Sequence, residues 1–287
     1  MSDNLRGAVL MALAMGGFAL EDMFIKLLAD TLPVGQILVF LGVGGAVAFG
    51  VIAHRKGQQL LSPALLTPAL LMRNTAELIG TVGFVLGFVL ASLATASAIL
   101  QAAPLVVTLG AVLFLGEKVG WRRWTAIGVG FFGVMLIVRP GMAGFEPASL
   151  FAVIGVIGLA GRDLATRVIP RTVSSYQISS WAFAMIIPAG IFLMVMMDTP
   201  AIMPSALETS GLVAALGVGV LAYYALVASM RVGELSFVTP FRYTRMLFAL
   251  IVAVLVFGER PDALTLVGAA IIVSAGMFTL WRETKVT

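Results

Sequence analysis

Ionisable side chains stand inside long apolar stretches of this sequence, and most stand close to another. Glu21 and Asp22 are adjacent, and Lys26 follows Asp22 by four residues. Arg73 and Glu77 share that i, i+4 spacing, Arg162 and Asp163 are neighbours, and Arg242, Tyr243 and Arg245 follow Pro240. Gln101 lies three residues before Pro104. An ionisable group at bilayer depth costs about 2.5–3.5 kcal/mol on insertion scales, so each should be paired, near an interface or lining a cavity. The chemistry these groups offer is recognition rather than bond making. A guanidinium binds a carboxylate through two parallel hydrogen bonds. A carboxylate or amide takes an amine, and two crowded acids suit a proton carrier.

Each group also has a plainer use. Asp22 and Lys26 share a helix face and can form a helix-end ion pair, as can Arg73 and Glu77. Arg162 and Asp163 point about 100° apart on a helix, so each is expected to need a partner on another helix. Arg162 could instead reach the interface beside Arg167. Arg242 and Arg245 share one face and could lock their helix to Glu77 or Asp163. Gln101 could bridge helices as readily as it binds a ligand. Tyr223, Tyr224 and Trp181 are candidate cavity aromatics, although such residues near helix ends usually anchor the interface.

These groups need elements to position them, and composition leaves one choice. Of 287 residues, 60% are hydrophobic and 11% charged. A soluble domain carries about 25% charged residues, and disorder needs the opposite balance. Apolar stretches recur over 7–29, 34–53, 69–91, 96–115, 121–138, 148–168, 174–197, 209–230, 235–257 and 263–281. Barrel-type alternation is absent, so ten membrane helices joined by short loops are predicted. With the N-terminus in the cytoplasm, the inside segments hold Arg6, Arg55, Lys56, Lys118, Arg122, Arg123, Arg167, Arg171, Arg231, Arg282 and Lys285, and the outside segments hold Arg139 and Arg260. This bias predicts an N-in, C-in topology. The same bias accounts for the net charge of +4. No basic stripe suggests a nucleic-acid partner. With no cysteine and the single His54, thiol chemistry and His- or Cys-based metal sites are excluded. No phosphate loop is present, so an embedded enzyme is a remote alternative and no cofactor is expected.

The chain also repeats itself. Gly116-Glu117 and Gly258-Glu259 each follow a long apolar run, 142 residues apart. At that offset Gly16 falls on Gly158, Glu21 on Asp163, Ser97 on Thr239 and Gln101 on Tyr243. Halves of five helices each, 1–143 and 144–287, must be inverted relative to one another, an arrangement typical of secondary transporters with a substrate site between the halves.

At these residues the sequence resembles the EamA-type members of the drug/metabolite transporter superfamily. Pro104, Gly116-Glu117 and a helix with Gly128, Gly130 and Gly133 resemble the first-half signature. The stretch Pro240-Phe241-Arg242-Tyr243-Thr244, then Gly258-Glu259-Arg260-Pro261-Asp262, Gly268 and Gly276, resembles the second. Bacterial aromatic amino-acid exporters are the nearest in pattern, although Phe18-Ala19 stand where the family often has Trp-Gly. The resemblance implies an all-α protein of the bacterial inner membrane, a central cavity, and export from the cytoplasm.

The expected cavity residues are therefore Phe18, Glu21, Glu77, Gln101, Arg162, Asp163, Tyr223, Arg242 and Tyr243, with Gly16, Gly17, Pro104, Gly158 and Pro240 as hinges. Arg162 is the favoured clamp for a substrate carboxylate. The expected partners are amino acids as small-molecule substrate and the lipid bilayer, with a monomer as the expected form. Transport of another metabolite such as S-adenosylmethionine, or of drugs, is the alternative. Lys26, Arg73, Arg162, Arg242 and Arg245, five basic residues inside apolar spans, favour zwitterions or anions over cationic drugs.

Overall fold

The computed structural model describes residues 3–60, 67–116, 120–140, 142, 145–170, 172–232 and 238–286. Expectations resting on Glu117, Lys118 and Arg171 lie outside them. The described residues form α-helices and no strand. The helices are α1 (Asp3–Leu28), α2 (Val34–Arg55), α3 (Pro68–Val89), α4 (Leu93–Leu100), α5 (Ala103–Leu115), α6 (Trp121–Val138), α7 (Ser149–Arg167), α8 (Ser175–Met196), α9 (Ala206–Val232), α10 (Thr244–Leu255) and α11 (Ala263–Val286), with a 3-10 turn at Thr239–Tyr243 before α10. Seven helical segments among the described residues are long and apolar enough to cross a membrane: α1, α2, α3, Leu93–Phe114, Ser149–Thr166, α8 and Ala206–Ser229. Trp124–Val138 and Ala263–Phe278 are shorter apolar stretches, and α10 has 12 residues.

Helix ends follow local chemistry. Pro68 opens α3, where its missing N–H would have had no partner anyway. Ser92 caps α4 by accepting from the Thr95 amide. Ser174 and Gln177 form a reciprocal capping box at α8. Gly116 and Gly258, the repeated glycines, share a left-handed backbone at φ 67° and 63°. That conformation costs little only without a Cβ, so glycine suits both positions.

Two expected spans are interrupted. The 96–115 stretch breaks at a turn over Gln101 and Ala102, one residue before α5 begins. The 235–257 stretch holds the 3-10 turn containing Pro240. Pro104 sits in the first turn of α5 and Pro240 in the first turn of the 3-10 element itself, where each costs no hydrogen bond.

Packing pairs the helices across the chain. The most extensive contacts join α3 to α7, α2 to α8, α1 to α9 and α6 to α11. Glycine lets each seam close. A Cβ on Gly83 would lie 2.6 Å from the Gly155 amide, one on Gly42 2.9 Å from the Phe183 carbonyl, one on Gly17 2.8 Å from Ala222 Cβ, and one on Gly133 2.8 Å from the Gly268 carbonyl. Small residues at such contacts allow dense packing where lipid supplies no hydrophobic drive. The 142-residue offset carries α1 onto α7 and α3 onto α9. It therefore exchanges the α1–α9 seam with the α7–α3 seam.

The connections alternate ends. Those after α1, α3, α6, α8 and α10 meet at one end, tied by Gln36 to Ile202, Lys26 to Ala91, Ser92 to Glu259 and Arg139 to Asp262. The connection after α2 lies at the other, where Gln58, Gln59 and Leu60 meet Ser174, Gln177 and Trp181.

Candidate functional site

A chain of alternating charges runs through the interior. Arg73 donates to Glu77 at 2.9 Å, and Arg162 donates to the other Glu77 oxygen at 3.1 Å. Arg162 also donates to Asp163 at 2.8 Å, and Arg242 stands 3.6 Å from the second Asp163 oxygen. Three elements are joined this way: α3, α7 and the 3-10 turn. Arg73 is 2% exposed, so its charge survives there only because it is paired. The expected Arg73–Glu77 bridge is present. Arg162 and Asp163 each find the partner expected on another element, Glu77 for Arg162 and Arg242 for Asp163. The expectation that the two pair poorly with each other is corrected: the long Arg162 side chain folds back, and both its Nε and Nη2 reach Asp163 Oδ1.

Arg245 forms a second centre. It donates to Asp22 at 2.7 Å, and its guanidinium lies 5.3 Å from the Phe18 ring centroid and 5.2 Å from that of Phe84. A guanidinium over an aromatic face gains quadrupole attraction when water is excluded. Asp22 thus pairs with α10 and not with Lys26, its helix neighbour. Lys26 pairs with Glu259 instead, at 2.8 Å.

Glu21 makes no hydrogen bond or ion pair with another described residue. Its carboxyl lies against Gly219 of α9, where a Cβ would stand 2.6 Å from Glu21 Cδ. One turn along that helix is Tyr223. Its ring meets Phe18 at 6.4 Å edge-on and both Phe49 and Phe183 at 5.6 Å. Phe49 and Phe183 stack at 5.7 Å. Tyr223 is also within electrostatic range of Arg162. Four helices (α1, α2, α8 and α9) therefore converge on an aromatic cluster bordered by the ion chain and by Glu21.

The structure thus gathers Phe18, Glu21, Glu77, Arg162, Asp163, Tyr223 and Arg242 around one region. Gln101 and Tyr243 are both buried at the two helix breaks, and Gln101 Nε2 and Tyr243 OH have no hydrogen-bond partner among the described residues. The Tyr243 hydroxyl contacts Gly276 of α11. Tyr224 is half exposed on the outer surface, and Trp181 donates to the Leu60 carbonyl at 3.1 Å near a helix end, as an anchor does. Among the hinge candidates, Gly16 and Gly17 contact Phe248 and Ala222, and Gly158 fits against Gly80, where a Cβ would lie 2.6 Å from the Gly80 Cα. Pro104 leads α5, with its carbonyl accepting from Thr108 at 2.9 Å. Sequence reasoning missed Phe49, Phe84 and Phe183, because nothing in an apolar run distinguishes a phenylalanine that turns inward.

The profile of the EamA-like transporter family matches this chain twice, over residues 5–139 and 147–281. The chain belongs to the EamA-like transporter family. It is a multi-pass membrane protein, and its relatives are transporters. An S-adenosylmethionine uptake transporter of Rickettsia prowazekii is 28% identical over 214 residues, covering 75% of this chain and 72% of its own. The pseudopaline exporter CntI of Pseudomonas aeruginosa is 27% identical over 278 residues, 95% of each chain. A riboflavin transporter of Vibrio cholerae is 34% identical over 191 residues, 66% of this chain and 62% of its own. None of these three is an aromatic amino-acid exporter. One protein of known crystal structure superposes with a TM-score of 0.58 at 15% identity, over 99% of this EamA-like chain and 98% of that one. That likeness concerns the fold alone.

Proposed function

We propose that this EamA-like protein is a secondary transporter of the bacterial inner membrane that moves metabolites with an amino-acid headgroup by alternating access. The reading takes ten spans in two inverted five-helix halves, 1–143 and 144–287, with both termini cytoplasmic. It is supported by the two family matches, by the helix pairing that the 142-residue offset exchanges, and by the Lys/Arg bias.

One observation carries the substrate class. Among the described residues most interior charges are tightly paired, and two are loosely held. Glu21 makes no hydrogen bond or close ion pair with a described residue, Arg245 acting on it only at longer range, and Arg242 meets Asp163 at only 3.6 Å. A zwitterion satisfies both: its ammonium meets Glu21 and its carboxylate meets Arg242, while Phe18 and Tyr223 hold the side chain. This revises the role expected of Arg162, whose guanidinium is already spent on Glu77 and Asp163. Neutral and aromatic amino acids fit, and so does S-adenosylmethionine, which carries the same headgroup. Export from the cytoplasm is the proposed direction. A second reading, a neutral planar ring such as riboflavin, is favoured by the aromatic cluster and needs neither loose charge.

Counterflow into proteoliposomes tests this with labelled phenylalanine, methionine, S-adenosylmethionine and riboflavin. Exchange of an amino acid or S-adenosylmethionine is the expected result. Exchange of riboflavin alone would overturn the headgroup reading.

A further inference from the structure

At the end of the bundle where α1 finishes, a single carboxylate ties the two halves of the chain together. Glu259 follows the left-handed Gly258, which turns the chain sharply back over the bundle. Its Oε1 accepts from Lys26 Nζ at 2.8 Å and from the Leu93 amide at 3.0 Å. Its Oε2 accepts from Ser92 Oγ at 2.7 Å and the Ala94 amide at 3.0 Å. Four donors on one carboxylate exhaust its principal acceptor sites. Lys26 is fixed in turn by the Ala91 carbonyl at 3.3 Å and by the Phe257 ring at 5.0 Å. Glu259 thus caps α4 from outside that helix, meeting its positive end with a full negative charge. Three segments distant in sequence, the end of α1, the start of α4 and the 256–262 connection, are fastened at one point.

A cap supplied by the same helix would stabilise α4 in every conformation. A cap supplied by the other half holds only while the halves are together at this end. Separation would expose Lys26, the Ser92 hydroxyl and two helix amides at once, and water would have to replace all four contacts. The neighbouring Arg139–Asp262 pair bridges α6 and the same 256–262 connection, beside a cavity of about 310 Å³ lined by Ser92, Arg139, Glu259 and Asp262. We infer that Glu259 and Lys26 form a latch that closes this end of the transport pathway, with α4 as the element it holds. The inference rests on the alternating-access reading above. The two residues are positioning residues: they act on which end is open and not on the substrate.

The chain has no cysteine, so one introduced thiol is a clean reporter. Ser97→Cys is nearly isosteric, sits in α4 and is fully buried in this closed arrangement. A charged, membrane-impermeant thiosulfonate is applied separately to each membrane face. Ala201→Cys, in the connection at the same end, identifies the face that bears Glu259. Glu259→Gln should raise the modification rate of Cys at 97 at least tenfold from that face only. Lys26→Met should raise it by a smaller factor, and Lys26→Arg should restore the parent rate. A rate within twofold of the parent in both Glu259→Gln and Lys26→Met overturns the latch. So does an equal rise from both faces, which reports general loosening. If Glu259→Gln fails to fold, the Lys26 pair carries the test. The labelling needs no substrate, so failed counterflow with the expected labelling discards the headgroup reading and keeps the latch. Working counterflow with unchanged labelling does the reverse.

Discussion

Arg162 donates to Glu77 across 3.1 Å, joining α7 to α3 at the seam where Gly83 and Gly155 bring the two backbones together. Close packing and charge pairing coincide there, and parting the two helices would cut the bridge, leaving Glu77 to Arg73 and Arg162 to Asp163.

Arg162→Ala leaves Glu77 with one partner and Asp163 with only the distant Arg242. Breaking a buried pair by removing one member costs about 3–5 kcal/mol. The expected outcome is a large fall in thermal midpoint for the detergent-solubilised protein. Arg162→Lys should recover part of that loss, because a cation then stays between the Glu77 and Asp163 carboxylates. An Arg162→Ala protein as stable as the parent would contradict the ion-chain description.

Glu21→Gln puts an isosteric amide in place of a carboxyl that no described residue hydrogen-bonds or ion-pairs. Folding and thermal midpoint should be retained, while exchange of an amino acid or S-adenosylmethionine falls at least tenfold. Riboflavin, if carried at all, should be unaffected. Gly219→Ala should mimic the defect, because the added methyl occupies the space of the Glu21 carboxyl.

The glycines separate by what they face. Gly158→Ala drives a methyl into the α3 backbone at Gly80, and overpacking of this kind costs about 1–3 kcal/mol. Gly217 has nothing within 4 Å of an added Cβ. Gly217→Ala is therefore expected to be neutral or to stabilise α9 by about 0.5–1 kcal/mol through helix propensity. Parallel melting curves of the two variants check this, and equal destabilisation would count against the seam geometry.

The connection at the Glu259 end should resist acid. Its hydrogen bond from Arg139, then that from the Thr265 amide, hold the Asp262 carboxyl down at about 2. Burial alone would raise Glu259, but the bonds from Lys26, Ser92, Ala94 and Leu93 together outweigh it and hold that carboxyl below its usual range. A depressed carboxyl contributes stability above its unfolded value, about 4, and loses it as pH falls through the folded value. The stability difference between the parent and Asp262→Asn should stay constant from pH 7 to about 4, then shrink toward pH 2. Asp262 is half exposed, so the difference is small in size. A difference that vanishes already near pH 5 would contradict the pairing.

Much of this was legible along the chain. The run of apolar stretches and the Arg73–Glu77 bridge are local, set by hydropathy and i, i+4 spacing, and each can be read without knowing what lies across the bundle. The turn between α3 and α4 left only a faint trace, a short and mildly polar interruption at Ser92 and Thr95. The partners of Arg162, Asp22 and Lys26 were not. Helical spacing offered Asp22 to Lys26, yet Asp22 bonds Arg245 and Lys26 bonds Glu259, 223 and 233 residues away. An ion in an apolar medium takes whichever counter-charge packing brings nearest, and packing is a property of helix pairs. Sequence alone determined that this chain is helical, membrane-spanning and internally repeated, because those features follow from composition and period. The tertiary structure decided which charges are spent and which remain, Glu21 among them, because desolvation makes pairing depend on distance and not on order in the chain.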